Sequence, residues 1–232
     1  MQPLGDVARW TSAPSELRIN RLKTAVVRLR SLLAAQGPGL PGEVVRLGRD
    51  GICRLDTTLV SSDVRRFAVL CHTARRLAPP EAKAALQEAR ALYRSDLLAG
   101  PTAQGYEWVE ARDHGGISLR EHYREEYYHA TRHLARLHFR DGRPDLAVPL
   151  YKSLLKLDPT LQDVVRELYR CYRELGDLGS LVREDRQLRQ ALREAYADPD
   201  DPADDPECCQ PEPQTFELFR KIREELEAKA TL

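Results

Sequence analysis

Leu22, Val26, Leu29 and Leu33 recur at intervals of four, three and four residues, flanked by Ala25 and Leu32. That spacing is the apolar stripe of one α-helix, opened by Pro14-Ser15-Glu16 and ended by Gln36-Gly37-Pro38-Gly39. Arg18, Arg21, Thr24, Arg28 and Ser31 lie mostly opposite the stripe, with Lys23 and Arg30 beside it. The period then changes. Residues 43–47 and 52–56 are two extended runs around Gly48-Arg49-Asp50-Gly51, and a D-G turn between such runs predicts a β-hairpin. No other convincing strand pattern occurs.

From Ser62 onward the pattern is helical. Ser62-Asp63 forms an N-cap ahead of Val64, Phe67, Leu70 and Cys71. Pro79-Pro80 breaks the chain, and a second helix runs from Glu81 to about Tyr93. A loop carries Tyr106 and Trp108, Gly115-Gly116 interrupts or bends the chain, and a long helix follows over residues 118–139. Near the C-terminus Phe216, Phe219, Ile222 and Leu226 mark a last amphipathic helix, expected to dock back on the others.

A weak internal repeat lies within the helical part. Leu134-Ala135, Gly142, Ala147, Tyr151 and Leu157 align with Leu168-Tyr169, Gly176, Leu181, Asp185 and Ala191, a shift of 34 residues throughout. The unit is a helical hairpin: Gly ends the first helix, and a small residue lets the second approach closely. The second copy is degraded at Leu181 and Asp185, so its second helix is expected to face solvent or to pack differently. The fold expected is mostly α: a tetratricopeptide-like helical-hairpin array preceded by a partial winged helix.

Composition supports a folded chain, with 42% hydrophobic and 31% charged residues. Net charge is zero, which alone argues against a strong nucleic-acid binder. The distribution changes that reading. Residues 16–54 hold eight Lys/Arg and three Asp/Glu, whereas residues 196–213 hold seven Asp/Glu and no Lys or Arg. Residues 198–214 are also Pro-rich and nearly free of apolar side chains, the composition of a mobile loop. There is no secretory signal or membrane span, and the five cysteines fit no zinc spacing. A reduced, cytoplasmic protein is expected.

Candidate chemistry is sparse. His129 and His133 stand four apart on a helix near His122, Glu125 and Glu126, but no third ligand is evident, and surface histidines are the better reading. Neither a phosphate-binding Gly-rich loop nor Gly-x-Ser-x-Gly occurs, so no enzyme, metal or cofactor is expected. Arg18, Arg21, Lys23, Thr24 and Arg28 could enter a DNA major groove, with Arg46, Arg49 and Arg54 of the hairpin reaching backbone or minor groove. Stacked hairpins would present a concave surface for a peptide or partner helix. Tyr123, Tyr127, Tyr128, Tyr151, Tyr169 and Tyr172 divide between packing and that groove. Tyr123 and Tyr127, with Trp108, are the partner-binding candidates.

"RLKTAVVRLRSLL", "VVRLGRDGICRLD", "SDVRRF", "ALQEARALYRSDLLAG" and "YEWVEARD" follow one another here. In that order they resemble the bacterial transcriptional activator domain (BTAD) proteins, which include the Streptomyces antibiotic regulatory protein (SARP) type. The likeness runs from about Trp10 to Leu226, and "LYRSDLLAG" with its Trp-containing loop is its most specific piece. It implies that residues 18–33 contain a recognition helix and residues 44–55 a wing. It divides the chain into a partial winged-helix module over 1–60 and a BTAD helical domain over 61–232. The implied partners are DNA and RNA polymerase or another protein, with homodimerisation through the helical domain. The winged helix of that family opens with a small β-sheet and a helix that covers the recognition helix's apolar stripe. Neither precedes residue 18, so DNA binding is expected to be weak or to need that missing part. Ser95 stands in place of the usual Gly, and Cys53 in place of an aromatic residue of the wing. The alternative reading is a helical-repeat interaction module without autonomous DNA binding.

Overall fold

The computed structural model describes residues 15–35, 45–47, 53–56, 61–99, 107–110, 112, 116–196 and 210–230. Helix α1 spans Ser15–Ala35. Strands β1 (Val45–Leu47) and β2 (Cys53–Leu55) pair antiparallel, with Val45 opposite Leu55, Arg46 opposite Arg54 and Leu47 opposite Cys53. Seven further helices follow among the described residues: α2 (Asp63–Ala74), α3 (Pro79–Leu92), α4 (Leu119–Arg140), α5 (Pro144–Leu155), α6 (Gln162–Leu175), α7 (Leu178–Tyr196) and α8 (Pro213–Ala230). The acidic stretch expected as a loop falls largely outside the described residues.

Local chemistry accounts for the boundaries. The Ser62 hydroxyl accepts from the Arg65 amide at the start of α2. Pro79-Pro80 does not separate two segments but forms the first turn of α3, where a missing N–H costs nothing and the fixed φ suits the helix. Ser118 and Glu121 cap α4 reciprocally. The Ser118 amide donates to Glu121 Oε2 (2.7 Å) and the Glu121 amide to Ser118 Oγ (3.2 Å). Gly142 and Gly176 follow α4 and α6 in the left-handed conformation, at φ +72° and +68°, so each helix stops there and the chain reverses.

The helices stack as consecutive hairpins. Each of α3, α4, α5 and α6 packs against the helix before it, α7 packs on α6, and α8 covers α6 and α7. The 34-residue shift is a physical repeat. Leu134, Ala135, Ala147 and Tyr151 are fully buried, and so are their counterparts Leu168, Tyr169 and Leu181. The altered slot is Asp185, which replaces a buried tyrosine yet is itself buried. It accepts from the Tyr169 hydroxyl (3.1 Å) and from Arg189 Nε (2.7 Å). A buried carboxylate is tolerable when paired and hydrogen-bonded in this way. Helix α7 therefore does not face solvent. Leu181, Leu188 and Leu192 enter the core, and Glu184 beside them is held by the Tyr172 hydroxyl at 3.2 Å. Helix α8 docks as expected through Phe219, Ile222 and Leu226, while Phe216 stays exposed.

No atom lies within 4 Å of where a Cβ would stand on Gly176. Gly176→Ala should therefore cost only the left-handed backbone penalty, about 1–2 kcal/mol, and Gly176→Asn should recover part of it. Urea unfolding of the three chains checks this, and equal stability of the alanine chain would contradict it.

Candidate nucleic-acid and partner interfaces

Helix α1 shows two unlike sides. Val26 is 5% exposed, whereas Lys23, Thr24 and Arg28 are exposed. The Thr24 hydroxyl is turned onto its own helix and donates to the Asn20 carbonyl at 2.9 Å. Arg18 and Arg21 lie within α1, and Arg46 within β1, but their side chains are outside the description, and Arg49 falls outside it altogether. Strand β1 packs against α1, so the helix and the strand pair form one small unit. Leu29, from the same apolar stripe as Val26, remains 42% exposed.

The partner candidates occupy a different region. Tyr123 and Tyr127 are half-buried on α4 in an aromatic cluster that bridges α2 and α3. Tyr127 stacks on Tyr93 with ring centroids 4.1 Å apart, and Tyr123 meets Phe67 edge-on at 6.3 Å. Trp108 sits in a short 3₁₀ turn (Glu107–Glu110) beside the fully buried Val109. Glu110 ties that turn to α4 through an ion pair with Arg120.

Sequence reasoning missed the group that organises this region. Asp96 accepts from the Tyr93 hydroxyl (2.7 Å), from Arg124 Nε (3.2 Å) and from a second guanidinium nitrogen of Arg124. Arg120 Nε donates to the Leu97 carbonyl at 3.1 Å. Leu98 adopts φ +52°, a strained choice for a branched residue, which persists only where its surroundings over-determine it. Two arginines of α4 thus clamp the turn that follows α3. The signal was present in the stretch "LYRSDLLAG", where one Asp follows a Tyr by three residues. The Arg124 hydrogen bonds hold the Asp96 carboxyl below the usual carboxylate range, against an opposing effect of burial.

The two histidines fare differently. His129 and His133 line a cleft between α2, α3 and α4, opposite Cys71 and an Arg75–Glu126 ion pair of 2.8 Å. Burial, then Arg140, Arg136 and Arg75, lowers the His133 pKa. Among the described residues no group of three His, Cys, Asp or Glu side chains is placed to hold a metal ion, and no helix is long and apolar enough to cross a membrane.

Residues 62–202 match the family described as the bacterial transcriptional activator domain, well over half of the chain. The chain belongs to this family. A solved structure of Mycobacterium tuberculosis EmbR, in complex with a low affinity phosphopeptide, resembles this BTAD protein with a TM-score of 0.58 and 17% identity. That likeness, which shows the fold, covers 99% of this chain and 60% of the EmbR chain. No curated protein matches the BTAD chain.

An aspartate with a depressed folded-state pKa contributes stability that is complete above its unfolded value and is lost as pH falls through the folded value. Asp96→Asn should destabilise this BTAD protein by about 1–3 kcal/mol at pH 7, with the gap to the parent chain closing as pH drops below about 4. Thermal unfolding at pH 7 and pH 3 measures both, and a gap independent of pH would count against the clamp.

Proposed function

We propose that this chain is a cytoplasmic transcriptional regulator of SARP type, in which α1 and the β1–β2 pair meet DNA and the helical array engages protein. Residues 1–60 would form the partial winged-helix module and residues 61–232 the BTAD domain. The observation that carries this is the exposed Lys23, Thr24 and Arg28 on α1, set against the buried Val26 and beside an antiparallel strand pair. The EmbR likeness supports it, because it extends over 99% of the chain and so includes that unit. EmbR itself was solved with a phosphopeptide, which supports protein contacts for the array in general terms.

In this reading Lys23 and Arg28, with Arg18, Arg21 and Arg46, contact phosphates and guanine edges, and Arg49 reaches the backbone from the turn. Thr24 contributes its methyl group, since its hydroxyl is already committed to the Asn20 carbonyl. Binding by the chain alone is weak, because Leu29, on the same stripe as the buried Val26, stays exposed. RNA polymerase or another protein docks on the array, with Trp108, Tyr123 and Tyr127 at that contact, and two copies can associate there. No catalytic step is involved.

A second reading has a specific observation in its favour: the family match begins at residue 62 and leaves α1 and the strands outside it. The chain would then be a helical-repeat interaction module without autonomous DNA binding.

Salt separates the two. Affinity for a duplex, followed by fluorescence anisotropy, should fall with a log–log slope of about −0.9 per neutralised phosphate. The double variant Lys23→Glu, Arg28→Glu should bind at least about tenfold more weakly and show a shallower slope by about 1–2. Identical slopes for parent and variant would favour the interaction module.

A further inference from the structure

Helices α4 and α6 both pack on α5, and ion pairs bridge them. Arg132 meets Asp163 at 2.5 Å and Glu167 at 3.8 Å, and Arg136 Nη2 donates to Glu167 at 2.8 Å. Arg170, one turn along α6, lies 3.5 Å from the same Glu167. One carboxylate, 16% exposed, is therefore shared by three guanidinium groups. Asp163 is shared in turn between Arg132 and the Tyr128 hydroxyl at 2.6 Å. The Nε of Arg132 is buried without an acceptor. The protein's own carboxylates thus leave this seam with an excess of positive charge.

The side chains of Arg136 and Arg170 are each 43% exposed, so each can take a second anion while keeping Glu167. The row continues on α4 with exposed Arg140. Arg132, Arg136 and Arg140 stand one helical turn apart, about 6 Å along the axis. Arg166, four residues before Arg170, is instead turned to Glu212 and Thr215 beside α8 and stands outside the seam.

We propose that the α4–α6 seam is a docking surface for an acidic helical segment of a partner protein, one that presents Asp or Glu at every fourth position. Carboxylates at i, i+4 on a helix recur at the same interval as the arginines, so the two rows stay in register over several turns. Duplex DNA fits less well. A duplex is far wider than a seam between two helices that both pack on α5. The inference does not rest on DNA contact by α1.

The test uses the full chain and a labelled 15-residue Ala-based helical peptide with Glu at every fourth position, read by fluorescence anisotropy. The same peptide with Lys in place of Glu is the control. Arg136→Glu with Arg170→Glu should lower affinity at least about tenfold, and Arg183→Glu on the outer helix α7 should leave it unchanged. Glu167→Gln removes the internal carboxylate and should raise affinity severalfold, the reverse of what a damaged fold would do. Affinity that is unaltered in both the double variant and Glu167→Gln would overturn the proposal. So would equal binding of the Lys peptide. Displacement of the Glu peptide by a duplex at matched charge, abolished by Arg136→Glu with Arg170→Glu but not by Lys23→Glu with Arg28→Glu, would reassign the seam to nucleic acid.

Discussion

No single hairpin of this array can bury its own apolar face, and everything else follows from that constraint. Leu134 and Ala135 on α4 need Ala147 and Tyr151 on α5, and those in turn need Val164, Val165 and Leu168 on α6. Alanine at residue 147 lets α5 approach closely, and left-handed glycines at 142 and 176 let the chain reverse without straining a Cβ. Each helix pair is then held by its neighbours within one continuous apolar cluster. The polar interactions are arranged on top of this packing. The Asp96 clamp closes the turn after α3 against α4, and the Glu167 cluster joins α4 to α6.

The array could be read from sequence because its signals are local or periodic. A shift of 34 residues brought Leu134 onto Leu168 and Gly142 onto Gly176, and the structure places these pairs in equivalent positions. The antiparallel pairing of residues 45–47 with 53–55 was legible from a D-G turn between two extended runs. Pro79-Pro80 was harder, since a proline pair serves equally as a break or as the first turn of a helix. What decided it was the helical run that follows immediately.

The polar contacts were not legible, for a physical reason. Asp96 with Arg124, Arg132 with Asp163, and Arg136 with Glu167 are 28 to 31 residues apart in sequence. Nothing in a local pattern says which of many arginines and carboxylates will meet. Tyr123 and Tyr127 illustrate the same limit. Their spacing marks one side of a helix, but only the packed chain shows that Phe67 and Tyr93 stand across from them. Asp185 is the converse case. It looked like decay of the repeat, yet Tyr169 and Arg189 supply the partners that make a carboxylate acceptable there.

A stack of like units has no intrinsic reason to stop growing. Helix α8 lays Phe219, Ile222 and Leu226 over α6 and α7, and turns Arg220, Arg223, Glu224 and Glu227 outward as pairs along its own surface. It is thus a lid on the α6–α7 hairpin, apolar beneath and carrying charged pairs above. Apolar surface of α6 and α7 that would otherwise meet solvent is sheltered by one eighteen-residue helix.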